Sequence, residues 1–188
     1  DVYKVAPSEL LLFKSDGESR SETYWSLPRV VRNGLAEPIT SPNEAQGRLT
    51  SLLQDSVKRQ MAADVPLGGL LSGGIDSSLV VSMMQEESNR PVDTFTVGFT
   101  DREFDESSYA AAIARHLGTN HHEIVLSPEN TLEIIPELAR IYDEPFSDSS
   151  QIPTVLLSRL VRQQVTVGLS GDGGDELFAG YSRYPQMR

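Results

Sequence analysis

The sequence predicts an α/β fold, a doubly wound and mostly parallel sheet preceded by a short β-hairpin, and three observations carry that expectation. Short apolar runs alternate with stretches of helical spacing, two of those runs end in glycine-rich loops that open directly into helices, and the order along the chain reads βαβαβααβ. Such an alternation implies right-handed crossovers with helices on both faces of the sheet, and ligands then bind beyond the carboxyl ends of the strands.

Composition narrows the classes. The 188 residues are 38% hydrophobic and 23% charged, as in ordinary globular domains. There is no cysteine, so a disulfide scaffold is excluded, and no apolar stretch approaches the roughly 20 residues that span a bilayer. With 27 acidic against 16 basic side chains the formal charge is −11, which disfavours nucleic acid as a partner. The first ten residues show no export signal, so a cytoplasmic location is expected. The chain does not open on methionine, and a piece of a longer protein is expected.

Leu10-Leu11-Leu12-Phe13, the polar turn Lys14-Ser15-Asp16-Gly17 and the stretch ending in Thr23-Tyr24-Trp25 predict the hairpin. Two strands bury too little surface to stand alone, so this hairpin is expected to belong to a larger domain. Pro28 to Pro42 is rich in Pro, Asn, Gly, Ser and Thr without a clear period and reads as a linker, which puts a boundary between residues 1–36 and 37–188. Ser41-Pro42-Asn43-Glu44 signals a helix start, and Ala45, Leu49, Leu52, Leu53 and Val57 follow at amphipathic spacing. Val65–Leu71 predicts a strand buried on both faces. Beyond it the expectations are a helix at Ser77–Glu87, a strand at Val92–Phe99, a helix at Ser107–Leu117, a strand at Asn120–Leu126, helices at Glu129–Tyr142 and Pro153–Gln163, and a strand at Val165–Leu169.

The loop after the first of these strands reads Ser72-Gly73-Gly74-Ile75-Asp76-Ser77-Ser78. Paired glycines allow close backbone approach, free amides open the helix, and Ser72, Ser77 and Ser78 add hydroxyls, so the expected guest is phosphate or pyrophosphate. The lysine of GxxxxGK[ST] is absent and the spacing is not GxGxxG. Asp76 would repel phosphate unless a divalent cation lies between, which suggests Mg²⁺; the plainer alternative is that Asp76 caps the helix. The loop after the last strand, Ser170-Gly171-Asp172-Gly173-Gly174-Asp175-Glu176, has the same design. Adjacent strand ends would bring Asp175 near Asp76 to share a cation, with Asp172 facing the reacting centre; the alternative is a solvated acidic turn, though without EF-hand spacing.

The SGG-x-DS stretch at Ser72–Ser77 resembles the PP-motif of the N-type ATP pyrophosphatases. Together with LSGDGGDELFAGY at Leu169–Tyr181, it resembles the synthetase domain of glutamine-dependent asparagine synthetases. The resemblance implies an adenine nucleotide alpha hydrolase-like fold. It implies that residues 1–36 are the terminal hairpin of a glutaminase domain plus linker, and that 37–188 are an ATP-pyrophosphatase domain truncated at its carboxyl end.

The implied activity is a ligase that adenylates a carboxylate with ATP, releases pyrophosphate, and lets ammonia from glutamine displace AMP. By the same resemblance, Ser72, Gly73, Gly74, Ser77 and Ser78 would hold pyrophosphate, Asp76 and Asp175 would bind Mg²⁺, and Leu70, Val97, Ser170 and Gly171 would line the nucleotide pocket; by sequence alone Leu70 and Val97 read equally well as ordinary core residues. Asp172 would be the general base. The glutaminase domain of the same polypeptide is the implied partner, and a homodimer the implied assembly.

Two departures concern the acceptor. The best-known members have glutamate at the position of Asp172, and Thr-Thr-x-x-Arg where this chain has Phe146-Ser147-Asp148-Ser149. The resemblance implies L-aspartate or a sugar-linked carboxylate as the acceptor, and no sequence feature decides between them. A tRNA- or NAD-type acceptor and a non-catalytic ATP-binding module are the other readings. His121 and His122, adjacent on a strand, point to opposite faces and predict one packed and one solvated ring rather than a metal site. The acidic loop Asp101–Glu106 reads as solvated.

Overall fold

The computed structural model describes residues 3–100, 105–145, 147, 148 and 150–181, with 128–131 described through the backbone alone. The chain divides into two compact units, residues 1–50 and 51–188.

In the first unit β1 (Glu9–Phe13) pairs antiparallel with β2 (Ser19–Thr23), with Leu11 opposite Ser21. The turn closes because Gly17 takes a φ of 88° and the Asp16 carboxylate accepts the Glu18 amide at 3.0 Å. Tyr24 and Trp25 lie just past β2. The expected linker is corrected in its first part: Leu27–Ala36 is a helix, α1. Pro28 falls in its first turn, where a missing amide hydrogen costs nothing, and Leu27, Val30, Val31 and Leu35 keep helical spacing among the Asn and Gly that disguise it. The helix α2 (Pro42–Gln60) begins as its start signal predicts, with the Glu44 amide donating to the Ser41 hydroxyl at 3.4 Å.

The second unit runs β3 (Leu67–Leu70), α3 (Ile75–Glu87), β4 (Asp93–Phe99), α4 (Ser107–Leu117), β5 (Asn120–Leu126), α5 (Pro128–Ile141), α6 (Gln151–Gln164), β6 (Val167–Leu169) and α7 (Gly174–Phe178). Its strands are parallel in the order β5-β4-β3-β6, so the doubly wound α/β expectation holds. Order reverses at β3: the chain moves outward to β4 and β5, then returns to β6 on the other side.

Both faces are covered. Leu71, Val81, Ala110 and Ala114 join α3 and α4 to one face, and Val57, Met83, Met84 and Val92 extend that layer to α2. On the other face Phe95, with no exposed surface, packs with Val161 and Val165 beside Leu70, Leu157 and Leu160. The fit is tightest at β3. A Cβ on Gly68 would stand 2.6 Å from the Asp93 carbonyl oxygen and one on Gly69 2.8 Å from a Val81 methyl. Among the described residues no helix is long and apolar enough to cross a membrane.

The paired histidines face opposite ways, as expected, but neither ring is simply solvated. His122 donates to the Asp93 carboxylate through Nε2 at 3.0 Å and stacks on Phe95 with 5.0 Å between centroids. His121 meets Thr94 through Nδ1 at 3.0 Å, Thr94 in turn meets Thr119 at 2.9 Å, and the buried His121 Nε2 finds no partner among the described residues. Burial pushes the His121 pKa below its ordinary 6.5, with the nearby Glu123 charge opposing.

Two outcomes are expected. Gly68→Ala lowers the unfolding free energy by about 1–3 kcal/mol through overpacking, whereas Gly34→Ala, with nothing within 4 Å of the added carbon, is neutral or stabilising in a urea titration. The folded chain keeps His121 neutral to a lower pH than the unfolded chain does, so stability present above 6.5 is lost as pH drops toward the lower folded value. The loss is flattened in His121→Gln, as read by unfolding midpoints across the acidic range.

Candidate functional site

Because β3 and β6 are neighbours, the loops leaving their carboxyl ends start side by side at the reversal of strand order, the place where open α/β sheets bind ligands. The first loop turns at Gly73 with a φ of 86°, a conformation that suits glycine. It is also pressed against α4: a Cβ on Gly73 would come within 2.8 Å of Tyr109 Cβ and 2.9 Å of the Ala110 nitrogen.

The hydroxyls of this loop are knit together. Ser77 Oγ accepts the Ser72 amide at 3.2 Å and shares a hydrogen bond with Ser72 Oγ at 2.9 Å, while Ser78 Oγ donates to the Gly74 carbonyl at 2.6 Å. The cap of α3 is Gly74, which has no side chain to offer, and Asp76 stands inside the first turn. Asp76 is thus not the N-cap residue itself, though a carboxylate in the first turn still meets the positive end of the helix.

The second loop lies on the first turn of α3. A Cβ on Gly171 would stand 2.7 Å from the Ser77 nitrogen and 2.9 Å from the Asp76 carbonyl carbon, and one on Gly174 would run into the Asp76 carboxylate. Asp175 follows directly, in the first turn of α7, with its carboxylate beside Gly180. Asp172 accepts from the Ser170 hydroxyl at 3.0 Å, and its own amide donates back to that oxygen at 3.3 Å. Thus Ser72, Gly73, Gly74, Asp76, Ser77 and Ser78 form one surface, and Ser170, Gly171, Asp172 and Asp175 belong to the loop laid across it. Among the described residues no group of three or more His, Cys, Asp or Glu forms a cation cage.

Leu70 and Val97 sit on the α6 face of the sheet. Leu70 packs with Phe95, and Val97 lies two residues beyond Phe95 on the same side of the pleat. Leu70 and Gly168 also floor an open cleft of about 610 Å³ whose far wall carries Tyr142, Thr154, Arg159 and Arg162. Of the segment Phe146–Ser149, Phe146 and Ser149 lie outside the described residues. Asp148 accepts the Ser150 amide at 2.8 Å and its hydroxyl at 2.7 Å, which holds its pKa below the usual carboxylate range.

One side chain escaped the sequence reading. Residues 101–104 of the acidic loop lie outside the described residues, but Asp105 is not merely solvated. Its Oδ1 accepts the amides of Phe99 and Ser107, each at 3.2 Å. The Ser107 hydroxyl and amide, with the Phe99 amide, hold its pKa below the ordinary carboxylate value. The spacing Asp105-x-Ser107 at a helix start was the available signal.

Gly171→Ala or Gly174→Ala is expected to lift the second loop off α3. Overpacking of about 1–3 kcal/mol corresponds to roughly ten- to hundredfold faster amide exchange at residues 72–77. Amides of α6 keep wild-type protection in the same experiment.

Residues 48–188 match the family model described as asparagine synthase. A relative from Methanocaldococcus jannaschii is 39% identical over 96% of this chain and 34% of its own length. The Bacillus subtilis protein named asparagine synthetase [glutamine-hydrolyzing] 1 is 35% identical over 97% of this chain and 28% of its own. The Escherichia coli protein named asparagine synthetase B [glutamine-hydrolyzing] is 33% identical over 96% and 34%. The chain therefore spans about a third of the length of the curated relatives it matches. The family model covers both glycine loops and the whole parallel sheet between them, and the chain belongs to the asparagine synthase family.

Proposed function

We propose that this chain carries the nucleotide-activating site of an ATP-dependent, amide-forming ligase that takes ammonia from glutamine. The observation that carries the proposal is the seating of Gly171 and Gly174 on Asp76 and Ser77, where any side chain would collide, in a member of the asparagine synthase family. Glycine loops that open directly into helices present free backbone amides to which a polyphosphate can bind.

In this proposal the acceptor carboxylate oxygen bonds to the α-phosphorus of ATP as the bond to the β-phosphate oxygen breaks, and pyrophosphate departs. Ammonia then attacks the acyl carbon, loses a proton, and AMP leaves with the former carboxylate oxygen. Ser72, Gly73, Gly74, Ser77 and Ser78 hold the departing pyrophosphate by amides and hydroxyls. Ser170 and Gly171 contact the nucleotide, Leu70 and Val97 provide the apolar wall of its pocket, and Asp172 takes up the proton released by ammonia.

The donor set of Asp76 and Asp175, two carboxylates with nothing softer beside them, fits a hard divalent cation such as Mg²⁺, and Gly174, the residue before Asp175, lies against the Asp76 carboxylate. When bound, that cation neutralises charge developing on the leaving group. L-aspartate is the proposed acceptor, the glutaminase domain of the same polypeptide the proposed ammonia source, a homodimer the proposed assembly and the cytoplasm the proposed location.

ATP–pyrophosphate exchange on the intact polypeptide with Mg²⁺ tests this. Exchange that requires L-aspartate is the expected result. Exchange only with a uronic-acid sugar nucleotide would move the acceptor to a sugar-linked carboxylate, and ATP binding without exchange under any acceptor would overturn the catalytic reading. Asp175→Asn is expected to raise the Mg²⁺ concentration needed for half-maximal ATP binding about tenfold or more. An unchanged requirement would remove Asp175 from the cation site.

A further inference from the structure

We infer that Asp105 is a positioning residue for the first glycine loop, which it holds in place through α4 although it lies outside both loops. Its Oδ1 ties the last residue of β4 to the first residue of α4 by accepting the Phe99 and Ser107 amides, each at 3.2 Å. The strand end and the helix start are thereby held at one distance. The site is built for this carboxylate, because a Cβ at Gly98 would stand 3.0 Å from Asp105 Oδ1 and 3.0 Å from both Ser107 Cβ and Oγ. A methyl at Gly98 would press on the clamp and make its atoms give way by a few tenths of an ångström.

The clamped turn then reaches the loop. The amides of Tyr109 and Ala110 both donate to the Glu106 carbonyl, at 3.0 and 3.3 Å, so this first turn moves as a unit with Asp105 and Ser107. Tyr109 Cβ and the Ala110 nitrogen are the atoms against which Gly73 is pressed. Ala110 is fully buried against Leu71, the residue just past β3, and Val81 of α3. Gly73 is in the left-handed region, with serine hydroxyls linked across it, and the α4 backbone behind it limits which way the loop can relax. Asp105 therefore sets where the amides of residues 72–77 point. The effect on ATP described next rests on the proposal that this loop holds pyrophosphate.

The test compares wild type, Asp105→Ala, Asp105→Asn and Gly98→Ala in the intact polypeptide. One readout is amide exchange at residues 72–77 without nucleotide; the other is the KM for ATP against kcat in pyrophosphate exchange. Removing hydrogen bonds to a charged acceptor is expected to speed that exchange and raise the KM by about tenfold each, with kcat within about twofold. Gly98→Ala, which displaces the carboxylate without deleting it, should give the same pattern. Asp105→Asn keeps an oxygen that accepts both amides and should return both readouts to within about twofold of wild type.

Asp105→Ala that lowers the thermal midpoint yet leaves exchange at residues 72–77 and the KM unchanged would overturn the inference, since the residue would then be merely structural. Asp105→Asn as damaged as Asp105→Ala would overturn it too, because the geometry of the acceptor would not matter. If wild type neither binds nor turns over ATP, the pyrophosphate reading of the loop fails, and the exchange rates alone decide whether Asp105 holds it.

Discussion

The second unit depends on the absence of side chains along β3. At Gly68 and Gly69 the neighbouring strand and the α3 side chains approach so closely that a single methyl on either face would have to displace backbone or core. A parallel strand in mid-sheet is normally a run of branched apolar residues, because both of its faces are buried. Here that role is shared: Leu67 and Leu70 supply apolar bulk at the ends, and Val81, Met84 and Phe95 reach in from outside to fill the middle. The consequence for the site is one of distance. With α3 drawn close to the sheet, its first turn sits directly above the ends of β3 and β6, where the second loop can lie on it.

Much of this arrangement was legible in the residues. The alternation of apolar runs and helical spacing gave element order and strand direction, since periodicity reports burial directly. The two loops were legible because glycine followed by serine and aspartate at a strand-to-helix junction has few other uses. What escaped did so for identifiable reasons. The helix α1 was hidden by Pro28, Asn33 and Gly34, residues that argue against a helix interior, while its apolar stripe was the weaker signal. Asp105 was hidden by company: in a run that also holds Asp101, Glu103 and Glu106, the sequence does not single out the one carboxylate that accepts two amides. The fit of Gly171 and Gly174 against Asp76 and Ser77 is a contact between segments about a hundred residues apart, and no local pattern encodes such a distance.

The polar residues of the sheet show a related economy. Thr94 is fully buried and satisfied by Thr119 and His121, and Asp93 on the opposite side is met by Asn120 at 2.5 Å and by His122. Both clusters join β4 to β5, away from the loops after β3 and β6. They specify the register between two strands whose apolar residues alone would tolerate a slip, which matters because β4 also presents the Phe99 amide to Asp105.

If the first loop holds pyrophosphate as proposed, its serine hydroxyls bear on release. Ser77 Oγ already accepts the Ser72 amide and shares a proton with Ser72 Oγ, while Ser78 Oγ is committed to the Gly74 carbonyl. A polyanion arriving there would swap partners with bonds that already exist, and on leaving it would let them re-form. Under the proposed function such a cradle would be self-sealing, with part of the binding enthalpy offset by serine bonds that re-form at release.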